Sequence, residues 1–186
     1  MIGQHLLRLV YRRPPPRKDF IYGDAAKELS MEEGDIVDIG GGPGYISMYL
    51  PRKVYYVVQD IDYKLLSYGA EYVDKVLAPA EERVFREKSF DVVLMHDALH
   101  HFTNPLASLR NAVTMCRGRL VIFEFNVDGL LGKIIKVFEK IVGFPGNFYK
   151  PDELSMMVVE AGCPHTNYRV LDRLRYLVKC TPTTHK

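Results

Sequence analysis

The sequence predicts a doubly wound α/β domain: a mostly parallel, seven-stranded sheet with a C-terminal antiparallel hairpin. Three observations predict it. Short β-branched and aromatic runs alternate with helical segments from Ile36 to Phe125, the signature of a parallel sheet with right-handed crossovers. A glycine cluster, Gly40-Gly41-Gly42-Pro43-Gly44, directly follows the first run. The last two runs nearly abut, leaving no room for a crossover, so they must pair antiparallel.

Ile2 to Tyr11 is a short apolar helix candidate, separated from the domain proper by Pro14-Pro15-Pro16. Asp24 is placed to cap a helix through Leu29, with Gly34 ending the turn beyond it. Ile36, Val37 and Ile39 form a buried strand that runs into the glycines. Gly44 to Leu50 forms the next helix, stopped before Pro51. The unit repeats with a strand over Val54–Gln59, a helix over Tyr63–Tyr72 and a short strand over Lys75–Leu77. Phe90–Met95 (FDVVLM) is apolar almost throughout, as in a strand covered on both faces. Asn104, with Pro105 at the first helical position, opens a helix to about Cys116, and Leu120–Phe125 is the next strand. A helix over Pro151–Ala161, closed by Gly162, leads to the hairpin Tyr168–Leu171 and Leu174–Cys180. By this division residues 1–23 are an N-terminal arm or cap, 24–180 the domain, 126–150 a lid-like insertion and 181–186 a tail.

Composition narrows the function less than the motifs do. With 186 residues the chain is one domain long, 47% hydrophobic and 26% charged, with a formal charge of +2. That charge does not argue for nucleic acid or a membrane surface. The first eighteen residues do hold Arg8, Arg12, Arg13, Arg17 and Lys18 with no acid. Such an arm suits phosphates or an acidic partner, or is simply a solvated terminus. Cys116, Cys163 and Cys180 are too few and too scattered for a disulfide framework or a zinc site, and no metal is expected. An intracellular, reducing compartment follows from the cysteine usage. His5 and Arg8 break the only apolar run near the start, so no signal peptide is visible, and no run is long enough for a membrane span. A cytoplasmic protein is expected.

The glycine cluster lies where a doubly wound sheet binds its ligand, at the carboxyl end of the first strand. Glycines there let the backbone turn sharply and approach a ligand without a side chain in between. Asp60 ends the second strand twenty residues after Gly40, where a carboxylate can accept hydrogen bonds from a ribose diol. Its alternative role is to cap the next helix, which Asp62 fills equally well. A dinucleotide fingerprint starting at Gly40 needs a glycine at position 45, but this chain has Tyr45. The spacing is instead Asp-x-Gly-x-Gly-x-Gly through Asp38, Gly40, Gly42 and Gly44, which suits a ligand without a pyrophosphate.

With these residues and with VVQDID (57–62), SFDVVLMHDALHHF (89–102), GRLVIFE (118–124) and FYKPDELSMMVVEAG (148–162), the chain resembles the class I S-adenosylmethionine-dependent methyltransferases. Within them it looks like the small-molecule group that includes the ubiquinone/menaquinone enzymes. The resemblance implies a Rossmann-like methyltransferase fold and S-adenosyl-L-methionine as cofactor. It implies that Asp38, Gly40, Gly41, Gly42 and Gly44 hold the methionine end and ribose, and that Asp60 takes the ribose hydroxyls. Ile61, Pro79, Ala80 and Glu81 then border the adenine, and His96 stands beside the sulfonium. Family members often have an acid where this chain has Pro79, so adenine recognition here falls to backbone groups or to Glu81.

Methyl transfer is an in-line displacement whose rate owes much to alignment; an oxygen or nitrogen acceptor must also lose a proton. The candidate bases follow the fourth strand: His96, His100 and His101, with Asp97 among them. A histidine there is as readily a packed or capping residue as a base, and Glu124 is a further polar group at the same edge. No Asn-Pro-Pro-Tyr or Asp-Pro-Pro-Tyr segment occurs, which disfavours nucleobase amines. Leu130, Leu131, Ile134, Ile135, Phe138, Ile141 and Val142 recur at helical spacing in the insertion, beside Phe144, Phe148 and Tyr149. Such a stripe either packs on the domain or covers an acceptor pocket. The expected partner is therefore a small, apolar or aromatic acceptor. An RNA methyltransferase and a cofactor-binding subunit without chemistry are the alternatives, and the sequence does not fix the oligomeric state.

Overall fold

The computed structural model describes residues 2–14, 22–29, 34–51, 53–127, 129–144 and 146–183. Helix α1 (Ile2–Val10) and helix α2 (Gly23–Leu29) precede the first strand, β1 (Asp35–Ile39). A 3-10 turn (Tyr45–Tyr49), β2 (Tyr55–Asp60), the single turn α3 (Tyr63–Leu66) and β3 (Asp74–Leu77) follow. Next come β4 (Phe90–His96), a 3-10 turn (Leu99–His101), α4 (Pro105–Met115) and β5 (Cys116–Phe125). The chain continues with α5 (Leu130–Val142), α6 (Pro151–Glu160), β6 (His165–Val170) and β7 (Arg175–Thr181). The seven strands make one sheet in the order β3-β2-β1-β4-β5-β7-β6. All pairings are parallel except β5 with β7 and β7 with β6.

The two-residue period of each strand divides the core between the two faces of the sheet. Val93 and Met95 of β4 join Val37, Ile39, Leu120 and Ile122 under α4 and α6, where Leu109 and Leu154 are fully buried. Val92 and Leu94 join Ile36, Val58, Val121 and Phe123 on the other face, under Leu29 of α2 and Ile46. Apolar runs without polar alternation are thus explained: both faces are covered. Asn104 caps α4 by accepting from the Ala107 N–H at 3.1 Å, with Pro105 in the first turn.

Several local expectations are corrected. The segment after Gly44 (φ 68°) is a 3-10 turn rather than an α-helix, and the Ser47 hydroxyl donates back to the Gly44 carbonyl at 2.7 Å. The helix from Tyr63 ends at Leu66, and Gly69 then packs on the Pro43 carbonyl, where no side chain fits. Strand β5 starts at Cys116, earlier than its apolar run: Arg117 and Arg119 are strand residues whose charges are met by Asp91 and Glu28. Asp24 lies inside the first turn of α2 and pairs with Arg175 at 3.0 Å instead of capping. The scattered cysteines are not all independent: Cys163 and Cys180, both buried, form a disulfide between the loop after α6 and β7. Among the described residues no helix is long and apolar enough to cross a membrane.

Candidate active site

Asp38, Asp60, Asp62 and Glu124, all buried, cluster toward the carboxyl edge of the sheet. Gly40, Gly42 and Gly44 take positive φ values of 72°, 54° and 68°, conformations that cost a side-chain-bearing residue more than glycine. Gly41 lies against the Asp38 carboxylate so closely that a Cβ there would collide with it. The loop is fixed from the next strand: the Gly40 N–H donates to the Gln59 carbonyl at 2.7 Å and the Gly42 N–H to Asp60 Oδ2 at 2.8 Å. The other Asp60 oxygen accepts from the Asp62 N–H at 2.7 Å.

Asp60 and Asp62, alternatives in the sequence, have separate roles here. Asp62 caps α3 through the Lys64 and Leu65 N–H groups at 2.9 and 3.3 Å, and pairs with Arg8 of α1 at 2.9 Å. Both line the cavity, but Asp60 alone of the two holds the glycine loop, through the Gly42 N–H. Part of the basic arm is thereby anchored, and α1 is drawn over the loop; the Tyr45 hydroxyl adds a bond to the Tyr11 carbonyl at 2.8 Å. Arg17 and Lys18 lie outside the described residues.

Asp38 is almost fully buried; its Oδ2 accepts from the Tyr56 hydroxyl at 2.7 Å, and its Oδ1 has no partner among the described residues. Burial pushes its carboxyl up to about 6, against the Tyr56 hydrogen bond and the nearby His96. Burial also raises Asp60, opposed by its backbone N–H donors, and raises Asp97. Asp97 has a left-handed backbone (φ 50°) immediately after β4, and its Oδ2 lies 3.5 Å from His96 Nδ1. The His96 ring sits between Tyr22 and Phe123, with centroids at 5.5 and 5.3 Å.

These groups open on one cavity of about 360 Å³, a size usual for small-molecule sites. Asp38, Gly40, Gly41, Gly42, Asp60, Ile61, Pro79, Ala80, Glu81, His96 and His101 all line it. Gly44 sits behind the loop against Val58, and His100 is buried away from the lining. The Glu81 carboxylate accepts from the Asn104 N–H at 3.0 Å, and the Ala80 and Glu81 carbonyls take the Asn111 amide at 3.2 and 2.7 Å. Gln59, which is not among the residues the sequence singles out, donates to the Pro79 carbonyl at 2.8 Å and leaves a buried Oε1 with no hydrogen-bond partner among the described residues. Its only signal in the sequence is a lone polar residue near the end of an apolar strand. Tyr11, Tyr22 and Phe144 also line the cavity.

A second polar cluster adjoins the cavity. His100 Nδ1 lies 2.7 Å from Glu124 Oε2, its N–H donates to Glu124 Oε1 at 3.3 Å, and its ring stacks on Phe148 with centroids 4.7 Å apart. Its Nε2 faces Glu139 of α5. Burial alone lowers the His100 pKa, but Glu124 and Glu139 outweigh it and hold the ring up at about 10. His101 is driven down to about 3 by burial and by the charge of His100.

Residues 37–122 match the family model described as a methyltransferase domain. Across its whole length the chain shares the fold of solved relatives. An S-adenosylmethionine-dependent methyltransferase from Thermotoga maritima is 18% identical, with a TM-score of 0.74 over 98% of this chain and 96% of that one. One from Aquifex aeolicus is 15% identical, with a TM-score of 0.73 over 98% and 100%. The protein solved with the Trm112 methyltransferase activator of Haloferax volcanii is 13% identical, with a TM-score of 0.80 and complete coverage of both chains. No curated protein sequence matches the chain.

The residues present fit S-adenosylmethionine, the cofactor named for two of these similar structures. The unpartnered oxygen of Asp38 suits a cationic amino group, Gly40, Gly41 and Gly42 bring backbone to the cavity lining, and Asp60 remains at the cavity wall. When bound, S-adenosylmethionine supplies an electrophilic methyl group on sulfur.

Proposed function

We propose that this protein transfers a methyl group from S-adenosylmethionine to a small apolar or aromatic acceptor. The observation that carries this reading is the composition of the cavity wall contributed from outside the sheet. Leu7 and Tyr11 come from α1 and its end, Tyr22 precedes α2, and Phe144 follows α5. None belongs to the sheet, so acceptor selection is separated from cofactor holding. Asp38 and the glycine loop hold the methionine end, and Asp60 the ribose. Gln59, the Pro79 segment and Ile61 border the base. His96 and His101 both line the cavity; burial holds His101 down at about 3 and leaves it a weak base, so His96 is the histidine placed to take a proton. Alignment between two walls supplies the rate, and enclosure keeps water from the sulfonium.

The test is binding followed by turnover. S-adenosylhomocysteine should bind with micromolar affinity, about −8 kcal/mol, and NAD far more weakly. A panel of phenols, hydroxyquinones and aromatic amines should then contain an acceptor that releases S-adenosylhomocysteine. Tighter binding of NAD than of S-adenosylhomocysteine would remove the reading. A second reading, a subunit that works with an activator, draws on the full-length likeness to the Haloferax protein. It expects no turnover by the chain alone and turnover once an activator is supplied.

A further inference from the structure

The insertion helix α5 meets the domain through a carboxylate and two imidazoles. His100 Nε2 stands 3.5 Å from Glu139 Oε1, and His101 Nδ1 stands 4.0 Å from Glu139 Oε2. One ligand atom from each of the three residues falls within 4.8 Å of the others. These separations are long for hydrogen bonds but close to the ~3.4 Å between donors around a tetrahedral ion with ~2.1 Å bonds. His101 Nδ1 and Glu139 Oε2 are also buried without a hydrogen-bond partner among the described residues, a condition that buried polar atoms rarely tolerate. Finally, the Glu124 carboxylate holds His100 Nδ1 at 2.7 Å while Phe148 fixes the ring plane. That is the outer-shell arrangement that aims the other ring nitrogen at a metal.

We propose that His100 Nε2, His101 Nδ1 and the Glu139 carboxylate form a divalent-cation site, with zinc as its preferred ion and Glu124 as the outer partner of His100. Two imidazoles and one carboxylate suit zinc and its neighbours, whereas calcium and magnesium demand oxygen donors. Glu124 and Glu139 bring two negative charges, which the ion neutralises; a proton on His100 competes for the same space. Two ligands sit on the turn after β4 and one on α5, so the ion fastens the insertion to the domain. His101 also lines the cavity, which makes the fastening part of the pocket wall. The site goes beyond methyl transfer and does not depend on it.

The experiment titrates the chelator-treated full chain with Zn²⁺ by calorimetry and records the absorption spectrum with Co²⁺. One ion per chain with micromolar or tighter affinity is expected, with the visible bands of four- or five-coordinate cobalt. Glu139→Gln and His101→Gln should each weaken binding at least tenfold, and Glu124→Gln by about tenfold. His165→Gln, outside the cluster, should leave it unchanged. Melting curves report whether each variant folds; if the variants do not fold, the wild-type cobalt spectrum decides. Unchanged zinc affinity in folded Glu139→Gln, or only the weak bands of the hexaaqua ion, overturns the site. Metal binding without S-adenosylhomocysteine binding would overturn the methyltransferase reading alone.

Discussion

Asp60 and Asp62 are two residues apart and do different work. Asp60→Ala removes the acceptor for the Gly42 N–H as well as the cavity carboxylate, so S-adenosylhomocysteine binding should weaken by about 1–3 kcal/mol. Asp62→Ala removes a helix cap and the Arg8 pair; it should lower stability by about 1 kcal/mol and affect binding far less. Calorimetry and melting curves on both variants check this, and equal effects on binding would refute the division. Asp38 yields a pH prediction. Its folded pKa, about 6, lies above that of an exposed aspartate, so between about pH 4 and 6 the native state binds more protons than the unfolded one. Stability from this group therefore falls as pH rises through that window, by up to about 3 kcal/mol at pH 7. In urea titrations of the cofactor-free protein, Asp38→Asn should flatten that slope; an unchanged slope would show that Asp38 does not cause it. That the glycine loop and Asp60 meet at one cavity was legible in the sequence, because their places depend on neighbours along the chain and on the strand ends. Gln59, Tyr22 and Glu139 were not, because only the tertiary fold brings them to the cavity or to the histidines.

At the scale of elements, the insertion helix departs most from its sequence signature. Its apolar stripe was expected to face inward, either as core or as a lid. Ile134, Val137, Phe138 and Ile141 are instead more than half exposed, while the inner side presents Gly132, Ile135 and Glu139. Helical periodicity shows that a face exists but not which neighbour it meets, and here the Glu139 carboxylate is turned toward His100 and His101. Phe148, expected at the acceptor, stacks on His100, whereas Phe144 lines the cavity. With Ile134, Val137, Phe138 and Ile141 turned to solvent, α5 should open at low cost. Hydrogen exchange in residues 130–142 should be much faster than in β4 and β5, and should slow when S-adenosylhomocysteine binds. Uniform, deep protection in the free protein would make this segment core and end the lid idea.

For the whole molecule, the alternation of elements was enough to read seven strands, their mostly parallel sense and the closing hairpin. Pairing between distant cysteines was not legible, because it depends on how α6 and β7 pack. The Cys163–Cys180 bond closes a loop of 17 residues, worth about 3 kcal/mol in the chain-entropy account. Melting under strong reductant should therefore occur about 6–12 °C lower for a chain of this size; no shift would show that the bond adds nothing to stability. Glu28 is a second long-range tie: it reaches Arg119 of β5 at 3.2 Å and Lys179 of β7 at 2.9 Å, joining α2 to both strands.

The position of β7 also bears on how the protein is made. Strand β5 is complete by Phe125, yet its outer edge is satisfied only by Arg175–Thr181, the last described strand. While the ribosome adds the intervening residues, an edge carrying Leu120, Val121, Ile122 and Phe123 has no partner in its own chain. Unpaired apolar edges are where nascent polypeptides aggregate or recruit chaperones. For this chain the hazard lasts until the final strand emerges, so interrupted translation beyond Phe125 leaves a product prone to aggregate rather than a smaller folded domain.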